Sequence, residues 1–157
     1  MPTDTVLGVV ASARSPRAVE RLYRLRKRER TKPFIILIAS AREVKQFGII
    51  MTPRLPALLV RVWPGPVSVI LPCPAAKFRY LHRGTDSLAF RVPRSAALRR
   101  LLRSTGPLVA PSANRAGEPP CRTIAEARTV FGDSVDAYLP GCVRSRVPSA
   151  VIRVIRS

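Results

Sequence analysis

Four segments of the chain carry side chains suited to gripping phosphate or carboxylate groups. Pro2-Thr3-Asp4-Thr5 sets two hydroxyls around a carboxylate, ahead of Gly8. Arg26-x-Arg28-x-x-x-Lys32-Pro33 places a cluster of cations between a helical pattern and an apolar run. Trp63-Pro64-Gly65-Pro66 is a turn stiffened by two prolines, and Pro111-Ser112-Ala113-Asn114 follows a short apolar stretch. Arginine forks bind phosphoryl oxygens in pairs, and hydroxyl or backbone N–H donors complete the shell. The inventory fits chemistry by positioning and charge neutralisation rather than by a side-chain nucleophile.

Other chemistries lack their residues. There is no G-x-x-x-x-G-K-[ST] phosphate loop, no G-x-G-x-x-G dinucleotide fingerprint and no G-x-S-x-G elbow. The nine acidic residues are scattered, with no spacing for a carboxylate pair or a multi-carboxylate metal site. A single histidine, His82, cannot build a multi-histidine metal site. Cys73, Cys121 and Cys142 lie far apart without a C-x-x-C pair and read as buried, reduced thiols.

These groups must be held by alternating helical and strand-like segments, which points to an α/β or α+β architecture. Loops at strand ends are the usual ligand sites of such sheets. Ser15-Pro16 opens a helix, with Val19, Leu22 and Tyr23 as its apolar stripe, ending near Arg26. Residues 34–39 read as a strand buried on both faces. Ser40-x-x-Glu43 is a capping box for a short helix ending near Gly48, and 56–62 suggests another. Strands are expected at 67–71, 88–92 and 108–110. Ser95 caps a helix stopping at Gly106, and Thr123-x-x-Glu126 caps one stopping at Gly132. Two last strands are expected near 137–139 and 150–155. On the 88–92 strand, Ser87 and Arg91 share a face with Ala89 between them. That face is either a pocket wall or the solvated side of an edge strand.

The length of 157 residues suits one compact domain with a real core. No apolar run approaches the roughly 20 residues of a membrane span, and the first residues have no signal-peptide pattern, so a cytoplasmic protein without a membrane partner is expected. The net charge is +19, from 28 basic residues against nine acidic ones. Such an excess favours polyanionic partners such as RNA or nucleotide phosphates. All but four of the basic residues are arginine (the lysines are Lys27, Lys32, Lys45 and Lys77), so an arginine-rich composition accounts for the excess equally well.

In these four segments and two further stretches the chain resembles the YrdC/TsaC-type threonylcarbamoyl-AMP synthase family. The matching stretches are Pro2-Thr3-Asp4-Thr5-Val6-x-Gly8, Arg26-x-Arg28-x-x-x-Lys32-Pro33 and Trp63-Pro64-Gly65-Pro66-Val67-Ser68. They continue with Asp86-Ser87-Leu88-Ala89-x-Arg91-Val92, Ser112-Ala113-Asn114-x-x-Gly117-x-Pro119-Pro120-Cys121-Arg122-Thr123 and Pro148-Ser149-x-Val151-Ile152. The resemblance implies a single YrdC-like domain over 1–157, a twisted, open mixed sheet with flanking helices around a basic cavity. It implies synthesis of threonylcarbamoyl-AMP from L-threonine, bicarbonate and ATP, with release of pyrophosphate. Mg²⁺ would enter with ATP, held mainly by its phosphates. Partner transferase proteins would then modify adenosine 37 of tRNA.

By that resemblance Arg26 and Arg28 are the catalytic cations, and Arg28, Lys32, Ser87, Ser112 and Asn114 hold ATP. Thr5, Arg91 and Ser149 hold threonine, with Arg91 on its carboxylate. The family has lysine where Arg26 stands and an aromatic residue where Leu7 stands, so an aromatic wall is expected to be missing. It also has a helix and a strand ahead of Pro-Thr-Asp-Thr, expected to be absent here. The competing expectation is a non-catalytic module of this fold that binds double-stranded RNA or tRNA.

Overall fold

The computed structural model describes residues 1–141 and 147–154. Helix α1 spans Pro16–Arg26; the Ser15 hydroxyl accepts the Ala18 N–H, proline takes the first turn, and Lys27 ends the helix in a left-handed conformation. Four further helices follow: α2 (Leu55–Val62), α3 (Arg79–His82), α4 (Ala96–Thr105) and α5 (Ile124–Phe131). Ser95 and Thr123 cap α4 and α5 through Leu98 N–H and Glu126 N–H. The Ser40–Glu43 capping box forms, but Ala41–Phe47 winds as a 3₁₀ helix closed by left-handed Gly48.

The strands are β1 (Ala11–Ser12), β2 (Ile35–Leu37), β3 (Val67–Pro72), β4 (Ser87–Arg91), β5 (Leu108–Val109) and β6 (Ala150–Arg153). They form one open mixed sheet in the order β1-β5-β2-β4-β3-β6. The β2–β4 and β3–β6 pairs are parallel, and the other three are antiparallel. Alternation along β2 divides the core. Ile36 and Ile38 join the larger cluster with α1, α2 and α5, while Leu37 and Ala39 meet Leu98 and Leu102 of α4 on the other face. Phe90 of β4 is fully buried, its ring 5.1 Å from Phe47 and edge-on to it.

Several sequence expectations are corrected. The strand expected at 34–39 keeps only three residues, although its flanks Phe34, Ile38 and Ala39 stay buried and Ile38 N–H still donates to the Arg91 carbonyl. Strand β4 begins one residue early and lies between β2 and β3, both faces packed, so it is no solvated edge. Residues 137–139 form no strand. Tyr138 instead bonds the Gly132 carbonyl at 2.7 Å under the Arg128 guanidinium, and Asp136 pairs with Arg21 at 2.9 Å. The last strand ends at Arg153, and Ile155 lies outside the described residues. Leu7 is 2% exposed and packs in the core. Cys73 and Cys121 are buried free thiols whose pKa burial raises; Cys142 lies outside the described residues. Among those residues no helix is long and apolar enough to cross a membrane.

Candidate active site

A cavity of about 220 Å³ opens where five chain-distant segments meet. Thr5 comes from the loop before β1, Arg26 and Arg28 from the end of α1, Arg91 from the end of β4, Ser112 from the loop after β5, and Ser149 from the approach to β6. The 7–9 and 111–113 segments are laced together: Val9 N–H donates to the Pro111 carbonyl and Ala113 N–H to the Leu7 carbonyl. A side chain at Gly8 would meet Thr3 at 3.0 Å and the Pro111 carbonyl at 3.3 Å.

Arg26 is 4% exposed and clamps the turn after β5. Its Nε donates to the Asn114 carbonyl at 2.8 Å, and Nη2 donates to Asn114 Oδ1 at 2.8 Å and to Ser112 Oγ at 3.3 Å. Ser112 Oγ donates to the same Oδ1 at 2.6 Å, and the Arg26 carbonyl accepts Ala116 N–H at 2.7 Å. Asn114 fastens the turn further by donating to the Arg115 and Glu118 carbonyls. Burial, and secondarily the charge of Arg28, lowers the Arg26 pKa to about 10, so it stays cationic at neutral pH.

Arg28 is set over an aromatic platform. Its guanidinium lies 5.4 Å from the Phe34 ring centroid and its Nε donates to the Lys32 carbonyl at 3.3 Å. Phe34 stacks on Tyr23 at 4.2 Å, and Arg83 caps the other face of Tyr23 at 4.1 Å. Glu20 ties down that end by pairing with Arg83 at 3.0 Å and Arg30 at 2.8 Å. Such stacked cations keep their orientation at little entropic cost.

Arg91, also 4% exposed, donates from Nη1 to Thr5 Oγ1 at 2.9 Å and pairs through Nη2 with Asp4 Oδ1 at 3.0 Å. Its Nε is buried without a partner. Desolvation lowers the Arg91 pKa, and the Asp4 carboxylate opposes that shift. Thr3 and Thr5 hydroxyls lie 3.3 Å apart, and Ser149 Oγ is 3.0 Å from fully buried Ser68 Oγ.

The structure therefore brings Thr5, Arg26, Arg28, Arg91, Ser112 and Ser149 to one cavity, with Asn114 behind Arg26. It does not bring Lys32 or Ser87 to that lining. Lys32 is exposed and pairs with Glu29 at 2.6 Å. Ser87 is buried at the far end of β4, about 13 Å along the strand from Arg91, and donates to Thr85 Oγ1. Asp4, Phe34 and Ser68 were missed as supporting residues. Their signals were an acid beside two threonines in a cationic chain, an aromatic next to the basic segment, and one hydroxyl in the apolar strand Val67–Pro72. Among the described residues no three His, Cys, Asp or Glu side chains converge.

The Sua5/YciO/YrdC family model, described as telomere recombination, matches residues 1–157. The threonylcarbamoyl-AMP synthase of Shigella flexneri is 37% identical over 155 residues, spanning 97% of this chain and 81% of that protein. The enzyme of that name from Nitrosococcus oceani is 35% identical over 153 residues, covering 97% and 83%. The crystal structure of P. abyssi Sua5 complexed with L-threonine superposes with a TM-score of 0.89 at 30% identity over 98% of this chain. The chain spans 46% of the length of that Sua5 structure.

Proposed function

The chain belongs to the Sua5/YciO/YrdC family, and we propose that it is a threonylcarbamoyl-AMP synthase acting on L-threonine, bicarbonate and MgATP. The observation that carries this reading is the gathering of two buried arginines, Arg26 and Arg91, with Arg28 and Thr5 around one cavity. Two anions that repel each other in water can be held side by side there.

Arg91 and Thr5 bind the threonine carboxylate and orient the amino acid, with Ser149 closing the same end. Arg28 takes the triphosphate, and Arg26 keeps Ser112 and Asn114 fixed beside it. A Mg²⁺ carried in on ATP would neutralise phosphate charge. Threonine nitrogen first captures the carbon of bicarbonate with loss of water. An oxygen of that carbamate attacks the α-phosphorus; the new P–O bond forms as the bond to pyrophosphate breaks, and pyrophosphate leaves with the electron pair. The protein contributes alignment and charge stabilisation, so no nucleophilic side chain is needed. The adenylate product is an activated acyl donor that partner proteins would pass to tRNA.

The test is pyrophosphate release by the purified protein with and without L-threonine and bicarbonate. Release that requires both supports the synthase. No release from folded protein, with tRNA affinity falling steeply as salt rises, would replace it with an RNA-binding module.

A further inference from the structure

We propose that Asp4 is a positioning residue that sets the threonine affinity of this site through Arg91; the proposal rests on the synthase reading. Asp4 is not among the residues lining the substrate cavity. It lines a second cleft of about 650 Å³ formed with Arg94, Ser95 and Leu98, so it approaches Arg91 from behind. Its side chain is 10% exposed and ties the last residue of β4 to the chain just beyond it. Oδ1 forms an ion pair with Arg91 Nη2 at 3.0 Å without hydrogen-bond alignment, and Oδ2 accepts the Arg94 N–H at 2.7 Å.

Arg91 has few other supports. Its Nε has no partner, and Nη1 has only the Thr5 hydroxyl, which is itself a cavity group. Asp4 is thus the one anion paired with this buried guanidinium among the described residues, and the one contact made from outside the cavity. A buried arginine with a single neutral partner would turn toward the cavity or draw in water, and either displaces the fork from a carboxylate. Fastening Asp4 to a backbone N–H of the segment leaving β4 fixes the carboxylate relative to the strand that bears Arg91.

The experiment measures KM for L-threonine and for ATP in Asp4→Asn, Arg91→Ala and the double variant, with threonine binding followed separately by calorimetry without ATP. Asp4→Asn is expected to raise the threonine KM about 10- to 100-fold, the range for misplaced positioning groups, with the ATP KM within about twofold of the parent. Added to Arg91→Ala it is expected to do nothing further, because its effect runs through that guanidinium. The inference is overturned if Asp4→Asn moves both KM values alike, leaves the threonine KM unchanged, or acts equally strongly without Arg91. Should Asp4→Asn not fold, Asp4→Glu keeps the charge but shifts it by one methylene. An intermediate threonine KM then supports the inference and an unaltered one overturns it. Parent protein that neither binds threonine nor releases pyrophosphate would instead defeat the synthase reading, and this inference with it.

Discussion

Replacing Arg26 by lysine separates what the guanidinium does as a charge from what it does as a fork. Arginine reaches the Asn114 carbonyl, Asn114 Oδ1 and Ser112 Oγ together. One ammonium cannot span those points, and each charge-assisted bond lost contributes about 1.5–3 kcal/mol. Burial with the Arg28 charge lowers the Arg26 pKa to about 10. Lysine starts from a lower ordinary value, so the same surroundings bring the substituted ammonium closer to neutral pH. Once it deprotonates the variant's site loses one of its positive charges, and the ATP KM should climb toward alkaline pH while the parent stays flat to about pH 9.

Stability should move the other way. In the window between the lysine's lowered pKa in the folded variant and its ordinary value, the unfolded variant binds more protons than the folded one, so its stability rises with pH relative to the parent. The assay is pyrophosphate release at varied ATP from pH 6.5 to 9.5, with thermal unfolding at the same pH values. A pH profile parallel to the parent's, or a Tm that falls together with activity, would refute the reasoning.

Arg28→Ala should raise the ATP KM at least about tenfold and leave the threonine KM nearly unchanged, since its guanidinium rests on Phe34 and makes no bond to Arg91 or Thr5 among the described residues; initial-rate kinetics decide. Leu7→Tyr, which restores the aromatic residue of the family, should cost about 1–3 kcal/mol in urea unfolding without improving kcat, because position 7 is packed core. Phe90→Ala should cost about 3–5 kcal/mol, since the ring is fully buried against Phe47.

Local signals were legible in the sequence and relational ones were not. Ser15, Ser95 and Thr123 each cap the helix expected of them, because a cap is settled within four residues. The place of β4 inside the sheet depends on β2 and β3 flanking it, which its own alternation cannot reveal. Residues 137–139 carry an apolar pattern short enough for either outcome. Contacts of Tyr138 and Asp136 with α5 and α1 decide against a strand. In the site, the chemical types of Thr5, Arg26, Arg28, Arg91, Ser112 and Ser149 are readable from sequence. That Arg26 clamps a turn, that Asp4 backs Arg91 and that Ser68 holds Ser149 all depend on partners more than 80 positions away. Lys32 and Ser87 show the converse: motif membership does not ensure that a side chain lines the cavity.

The cavity's two decisive bonds, Arg26 to Asn114 and Arg91 to Thr5, close loops of 88 and 86 residues. Contacts of that range are entropically costly to form early and belong to the slow, high-contact-order part of folding. A growing or half-refolded chain can therefore hold its helices and the nearby β3–β4 pair while possessing no site at all. Recovery of ligand binding during refolding should lag the helical signal and track the final closure of the sheet, which makes the ligand a reporter of completed topology.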